Sequence, residues 1–277
     1  MDPQLIDLGH LGRSRSIGSW RVGDVLIDCG PTPCLDRLLA AIGDEPPRAL
    51  LLTHIHLDHA GAAGTLARRW PGLVVYVHER GAKHLASPER LIDSATRLYG
   101  DSMDVLWGAI EPVPAERLRP LAGGETVEGF RVAYTPGHAS HHVAFLHEDS
   151  GDAFTGDVAG VRIAPCELVV PHAPPPDIDL TGWEGSLEQI SSWRASSLRL
   201  GHFGTVDDVP GHLDALRSRL RRNAELAREG AEEAFLEAAD RDLSRLPEEF
   251  RSAYRHTAPA EHSYLGLRRY FDKQESA

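Results

Sequence analysis

Residues 51 to 64 read "LLTHIHLDHAGAAG", an apolar run that ends in three histidines and an aspartate within six positions, followed by a string of small residues. The approach "RALLLTH" reads as a buried strand and "AGTLARRW" as the helix after it. The cluster therefore falls on a loop at a strand end, where a rigid sheet can aim side chains accurately. His54 and His56 are two apart and point the same way on an extended segment. Asp58 and His59 sit on the turn into the helix, where Gly61 lets the backbone approach closely. Three imidazoles and a carboxylate make a nitrogen/oxygen site for a divalent metal.

Around this stretch the chain alternates strand and helix. "SIGSWRV" and "VLIDCG", separated by Gly-Asp, form a hairpin, "CLDRLLAAI" an amphipathic helix, and "GLVVYVH" a buried strand. Residues 79 to 116 are helical in pattern, broken by proline and glycine, and read as an insertion that covers a site. "ETVEGFRVAYTPGH", "HVAFLHED" and "DAFTGD" are strand-rich, "APPPDIDL" leads to a helix N-cap at Asp179, and "SLRLGH" is a strand. From Val209 onward the chain is charged and helical. The expected organisation is an α/β domain over 1–208, with 79–116 as a lid, and a C-terminal helical extension over 209–277.

Three further residues stand in the context of the first cluster. His138 follows a strand and a Pro-Gly turn, Asp157 ends an apolar run in "FTGD", and His202 ends another in "LRLGHFG". Strand ends along one sheet edge are where a single site gathers ligands distant in sequence.

With these pieces in hand, the chain resembles the metallo-β-lactamase-fold superfamily, and within it the hydroxyacylglutathione-hydrolase-like (glyoxalase II-like) branch. The H-x-H-x-D-H signature stands at His54, His56, Asp58 and His59, and the later ligands match His138, Asp157 and His202 over roughly residues 5 to 205. The resemblance implies an αββα four-layer sandwich with metals in the groove at the sheet edges. It implies two metal ions: one on His54, His56 and His138, one on Asp58, His59 and His202, with Asp157 bridging. No cysteine is in the set, so zinc fits, and iron or manganese fit as well. A metal lowers the pKa of water from about 16 towards 7, and two cations can hold the resulting hydroxide while polarising a carbonyl. Asp58 binds metal and orients the hydroxide. The expected reaction is hydrolysis of an ester, thioester or lactone; the alternative is a mononuclear-iron persulfide dioxygenase, which shares fold and motif.

Composition narrows the field. A net charge of −12 argues against a nucleic-acid partner, and the cluster Arg217, Arg219, Arg221 and Arg222 reads as a solvated helix face. "MDPQLIDLGH" lacks the basic start and apolar core of a signal peptide, and no apolar run reaches the roughly 20 residues of a membrane helix. Cys29, Cys34 and Cys166 are too scattered for a disulfide framework, so the expected setting is cytoplasmic. The expected partner is a small acyl substrate, with neither nucleic acid nor membrane, and self-association into a homo-oligomer stays open. A flavodiiron electron carrier is rejected, because the residues after His202 are too few for a flavin domain. Asp28 is read as either a turn cap or an acceptor for a ligand histidine, and His142 as a strand-face residue, with support of the site as the alternative. His10, His78, His84, His172, His256 and His262 are read as surface or structural, and Arg90, Arg97 and Tyr99 in the insertion as a solvated helix face, with contact to a substrate's anionic group as the alternative.

Overall fold

The computed structural model describes residues 2–43 and 45–276, so the terminal residues 1 and 277 of the two expected segments lie outside the described residues. Two six-stranded sheets take up their strands in chain order. The first holds β1 (Gln4–Asp7), β2 (Gly18–Val22), β3 (Val25–Ile27), β4 (Ala49–Leu51), β5 (Val74–His78) and β6 (Leu118–Leu121). The second holds β7 (Thr126–Val127), β8 (Phe130–Tyr134), β9 (Val143–His147), β10 (Asp152–Gly156), β11 (Ser197–Leu200) and β12 (Gly204–Val206). Strands β3 to β6 run parallel, as do β10 and β11; the other pairings are antiparallel.

The period-2 alternation of the strands builds three apolar seams. Val25, Ile27 and Leu51 meet Phe130, Val132, Phe145 and Phe154 between the sheets. The opposite faces, Leu26, Leu50, Val75 and Val77, pack on Leu38 of α1 (Leu35–Ile42) and Leu66 of α3 (Ala63–Arg69), which follows the single turn α2 (Leu57–Ala60). On the far side Leu198 and Leu200 pack on Trp183 and Leu187 of α7 (Leu180–Ser192) and on Leu213, Leu216 and Leu220 of α8 (Val209–Arg228). Each fully buried Leu or Phe contributes about 1.5–3 kcal/mol. The result is the expected αββα sandwich. Asp179 caps α7 as its sequence context predicts, its side chain accepting from the Gly182 N–H at 3.1 Å.

Between β5 and β6 the chain forms α4 (Glu79–Ala86), α5 (Glu89–Tyr99) and α6 (Met103–Trp107). Past α8 follow α9 (Glu232–Ser244), α10 (Glu248–Thr257) and α11 (Ala260–Glu275), and α11 brings Tyr264 and Leu267 into the seam on the second sheet. Among the described residues no helix is long and apolar enough to cross a membrane. The late arginine cluster is consumed by ion pairs: Arg217 with Glu184 at 3.1 Å, and Arg219 and Arg222 with Asp242.

Three strands escaped the sequence pattern. β1 and β12 are short edge strands, and β6, "LRPL", contains Pro120. Proline is tolerated there because β6 is an edge strand, where one backbone side needs no donor.

Candidate metal centre

Five strands end on one edge of the sandwich. In the first sheet, Asp28 follows β3 and the Thr53–His56 loop follows β4; in the second, His138 follows β8, Asp157 follows β10 and His202 follows β11. The sheets are stitched together at this edge, since the Val143 N–H donates to the Thr53 carbonyl and the Gly18 N–H to the Gly201 carbonyl. All seven histidines and aspartates singled out from the sequence converge here, in two groups: His54, His56 and His138, and Asp58, His59, Asp157 and His202. Gly61 serves close approach rather than an unusual backbone angle, because a Cβ there would lie 2.5 Å from the Leu57 carbonyl oxygen and 3.1 Å from the Pro31 Cα.

Hydrogen bonds on the outer ring nitrogens decide what the inner ones can do. His138 Nδ1 lies 2.8 Å from the His172 carbonyl oxygen, which only accepts, so Nδ1 carries the proton and Nε2 keeps a lone pair. The Thr53 hydroxyl donates to Asp28 at 2.8 Å and accepts from His54 Nδ1 at 3.0 Å, which leaves His54 Nε2 its lone pair as well. His56 Nδ1 faces both of these nitrogens, at 3.1 and 2.9 Å. Burial is the largest cause holding His54 well below its ordinary pKa and His56 and His138 at about 4, so all three are neutral at pH 7. With the His56 proton on Nε2, each of the three rings would offer a nitrogen lone pair to a divalent cation placed among them.

In the second group the outer nitrogens are anchored in the same way, but the carboxylates change the charge balance. His59 donates from Nδ1 to Asp28 at 2.8 Å and His202 from Nδ1 to the Ser16 carbonyl at 2.6 Å, and their Nε2 atoms meet at 3.2 Å. Asp58 lies 3.2 Å from His202 Nε2. One Asp157 oxygen lies 3.1 Å from His59 and 3.4 Å from His202, while the other lies 3.5 Å from His138 of the first group. Both Asp157 oxygens are buried and without a hydrogen-bond partner, an arrangement that costs several kcal/mol unless a cation is shared. Burial opposes charge on His59, yet Asp157, Asp58 and Asp28 outweigh it and hold the His59 pKa well above its ordinary value. Burial opposes charge on Asp157 too, but His202, His59 and His138 hold it well below the usual carboxylate range. The pocket thus favours positive charge between its histidines and its carboxylates, and the donor set fits two divalent metal ions.

Asp28 resolves in favour of the supporting reading. It accepts from the Thr53 N–H, the Thr53 hydroxyl and His59 Nδ1, which fixes one ligand directly and His54 through Thr53. Its φ of 55° lies in the left-handed region, which aspartate tolerates. His142 does more than face a strand: fully buried, it accepts the Asp157 N–H at Nε2 and pairs with Thr135.

The six histidines read as surface or structural divide between the interior and the cleft. His10, His78 and His172 are buried, His84 lines the cavity over the centre, and His256 and His262 line a second one beside it. His172 escaped because nothing local marks it; its role comes from the carbonyl that orients His138, 34 residues away. Arg90 and Tyr99 also reach the main cavity, a space of about 540 Å³ roofed by α4 and α5. Arg97 is not among the residues that line it.

Comparison with known proteins agrees with this architecture. The model of the metallo-beta-lactamase superfamily matches residues 23–202. ST1585 of Sulfurisphaera tokodaii, a metallo-beta-lactamase fold-containing protein, is 31% identical over 179 residues, 61% of this chain and 66% of its own. Its solved structure superposes with a TM-score of 0.68 and 26% identity over 80% of this chain and 85% of that one. An atrochrysone carboxyl ACP thioesterase of Aspergillus fumigatus is 28% identical over 62% of this chain, a match that spans only 32% of the fungal protein. TTHA1623, solved in a di-iron-bound form, superposes with a TM-score of 0.55 and 29% identity over 72% of this chain and 91% of its own.

Proposed function

This chain belongs to the metallo-beta-lactamase superfamily, and from that premise we propose that it is a binuclear metallohydrolase cleaving a small acyl thioester, ester or lactone. Within the family we place it beside the hydroxyacylglutathione-hydrolase-like branch, on the motif string from His54 to His202. The observation that carries the binuclear reading is Asp157, buried, unpartnered at both oxygens, and facing one histidine group with each.

His54, His56 and His138 would hold one cation and Asp58, His59 and His202 the other, with Asp157 between them. The bound cations would supply Lewis acidity, which acidifies water and polarises a carbonyl. The protein does the rest. Thr53 and His172 orient the His54 and His138 rings with a lone pair inward, and Asp28 and Ser16 hold the outer nitrogens of His59 and His202. Asp58 is the acidic ligand that also lines the main cavity, so it meets both centre and substrate. Burial works against its ionisation, but His59 and His202 keep it ionised, able to accept a hydrogen bond from a water and orient it. Leu98, Tyr99 and Trp107 line the cavity over the centre. Zinc, iron and manganese all suit this donor set; the relative TTHA1623 holds iron.

The test is turnover with oxygen uptake recorded alongside. Zinc- or manganese-loaded protein should release thiol or alcohol from a panel of thioesters, esters and lactones without consuming oxygen. Oxygen uptake on a persulfide, by protein carrying a single iron, would overturn the hydrolase in favour of a dioxygenase, because zinc has no redox chemistry.

A further inference from the structure

The residues from Pro171 to Pro176 belong to no strand or helix, and four of the six are prolines, which supply no backbone N–H. The segment therefore stands outside every strand and helix ladder among the described residues. Yet the His172 carbonyl within it accepts the Nδ1–H of His138 at 2.8 Å, and so sets which nitrogen of that ring faces the centre. A contact from elsewhere in the fold has to hold this carbonyl in direction.

The C-terminal helix α11 supplies that contact. Ser263 is buried, and its Oγ accepts the Ala173 N–H at 3.1 Å and donates to the Pro171 carbonyl at 3.5 Å. The Ala173 N–H and the His172 carbonyl are the two ends of one peptide group. That group is trans and planar, so fixing its N–H also fixes its carbonyl, which points the opposite way. The Ser263 hydroxyl, the Ala173 N–H, the His172 carbonyl and the His138 Nδ1–H thus form one chain, and hydrogen bonds in such a chain polarise one another. Gly266 lies on the same face of α11 as Ser263. A Cβ there would stand 2.0 Å from the Ala173 carbonyl oxygen and 2.9 Å from the Pro175 nitrogen, so helix and segment touch backbone to backbone. Further along the same stripe, Lys273 donates to the Pro176 carbonyl at 3.0 Å.

Resting on the reading of His138 as a metal ligand, we propose that Ser263 is a positioning residue for the centre. Through the His172–Ala173 peptide it holds the His138 ring with Nε2 turned towards the cation shared with His54 and His56. The second group is anchored elsewhere: His59 leans on Asp28, after β3, and His202 on the Ser16 carbonyl, before β2. Ser263 therefore acts on one metal group and not on the other, and that asymmetry separates positioning from a general contribution to stability.

Two readouts test this without turnover: stepwise zinc binding to the metal-free protein against a chelating indicator, and solvent exchange of the His138 Nδ1–H by NMR. His138→Ala identifies both the first-group step and the Nδ1–H signal by their loss. Ser263→Ala should weaken the first-group step about tenfold and leave the second step within about twofold. It should also speed exchange of the Nδ1–H by about tenfold. Ser263→Thr keeps the hydroxyl, and Ser263 borders a cavity of about 270 Å³ with room for the added methyl group, so both readouts should return close to native. Tyr254→Phe is the control, because its hydroxyl is buried among the same helices but serves Ile163 and Leu168. It should lower Tm and move neither readout. Equal weakening of both zinc steps in Ser263→Ala, native values of both readouts there, or the same pattern from Tyr254→Phe would overturn the assignment. Native protein that takes up no zinc would instead sink the metallohydrolase reading, and exchange of the Nδ1–H in the metal-free protein would still decide whether Ser263 orients the ring.

Discussion

His54, His59, His138, Asp157 and His202 have at most 1% of their surface exposed, whereas α5, the helix that roofs them, buries none of its residues. The floor stands on the ends of strands paired within each sheet, and the rings of His54, His59, His138 and His202 are each fixed by a hydrogen bond on the outer nitrogen. The roof is an amphipathic layer laid over a cavity, anchored by half-buried side chains such as Leu91, Leu98 and Tyr99. Rigid, fully packed positions suit cations, which need ligands placed to within a fraction of an ångström. Loosely anchored positions suit substrates, which must enter and leave. The floor therefore sets the chemistry and the roof sets what is admitted, and substitutions on each should fail differently.

The largest effect is expected at Asp157, which faces both histidine groups. Asp157→Ala should empty both metal sites together and lower turnover by at least about 100-fold. Elemental analysis beside a turnover assay decides this, and a variant that keeps two metal ions and near-normal rates would remove the bridge. Asp28 comes next, since it orients His59 directly and His54 through Thr53. Asp28→Ala should weaken metal binding by about 10- to 100-fold, read by titration against a chelating indicator; unchanged affinity would show that packing alone orients the rings.

A subtler strain on the floor is available at Gly201, where an added Cβ would lie 2.8 Å from His59 Cε1. Gly201→Ala should loosen the second group by about tenfold in metal affinity while the first group keeps its ion. Equal loss from both groups would show that the floor yields as one unit. The smallest effect belongs to the roof: Tyr99→Ala should raise KM several-fold with two metal ions still bound, as fits a residue that covers rather than ligates. Loss of metal in step with activity would erase the distinction between floor and roof.

Much of the centre was legible in the chain itself. Six consecutive residues carry His54, His56, Asp58 and His59, and an apolar run ending in a turn marks the places of His138, Asp157 and His202. Strand periodicity and turn residues are local properties, so they survive without knowledge of partners. The strand-and-helix order of an α/β domain follows from the same alternation, apart from edge strands too short, or in β6 too proline-disrupted, to show a period, while the sandwich itself came from the family resemblance. What only the folded chain decided are relations between distant segments. Asp28 reaches His59 across 31 residues, His172 orients His138 across 34, and His10 and His256 come together across 246. The same holds for the two cavities over the centre, whose walls come from both sides of the sandwich edge. A residue's type and its neighbours along the chain determine what it can bond; burial and partners are set by which strands and helices pack together, and that is a property of the whole fold.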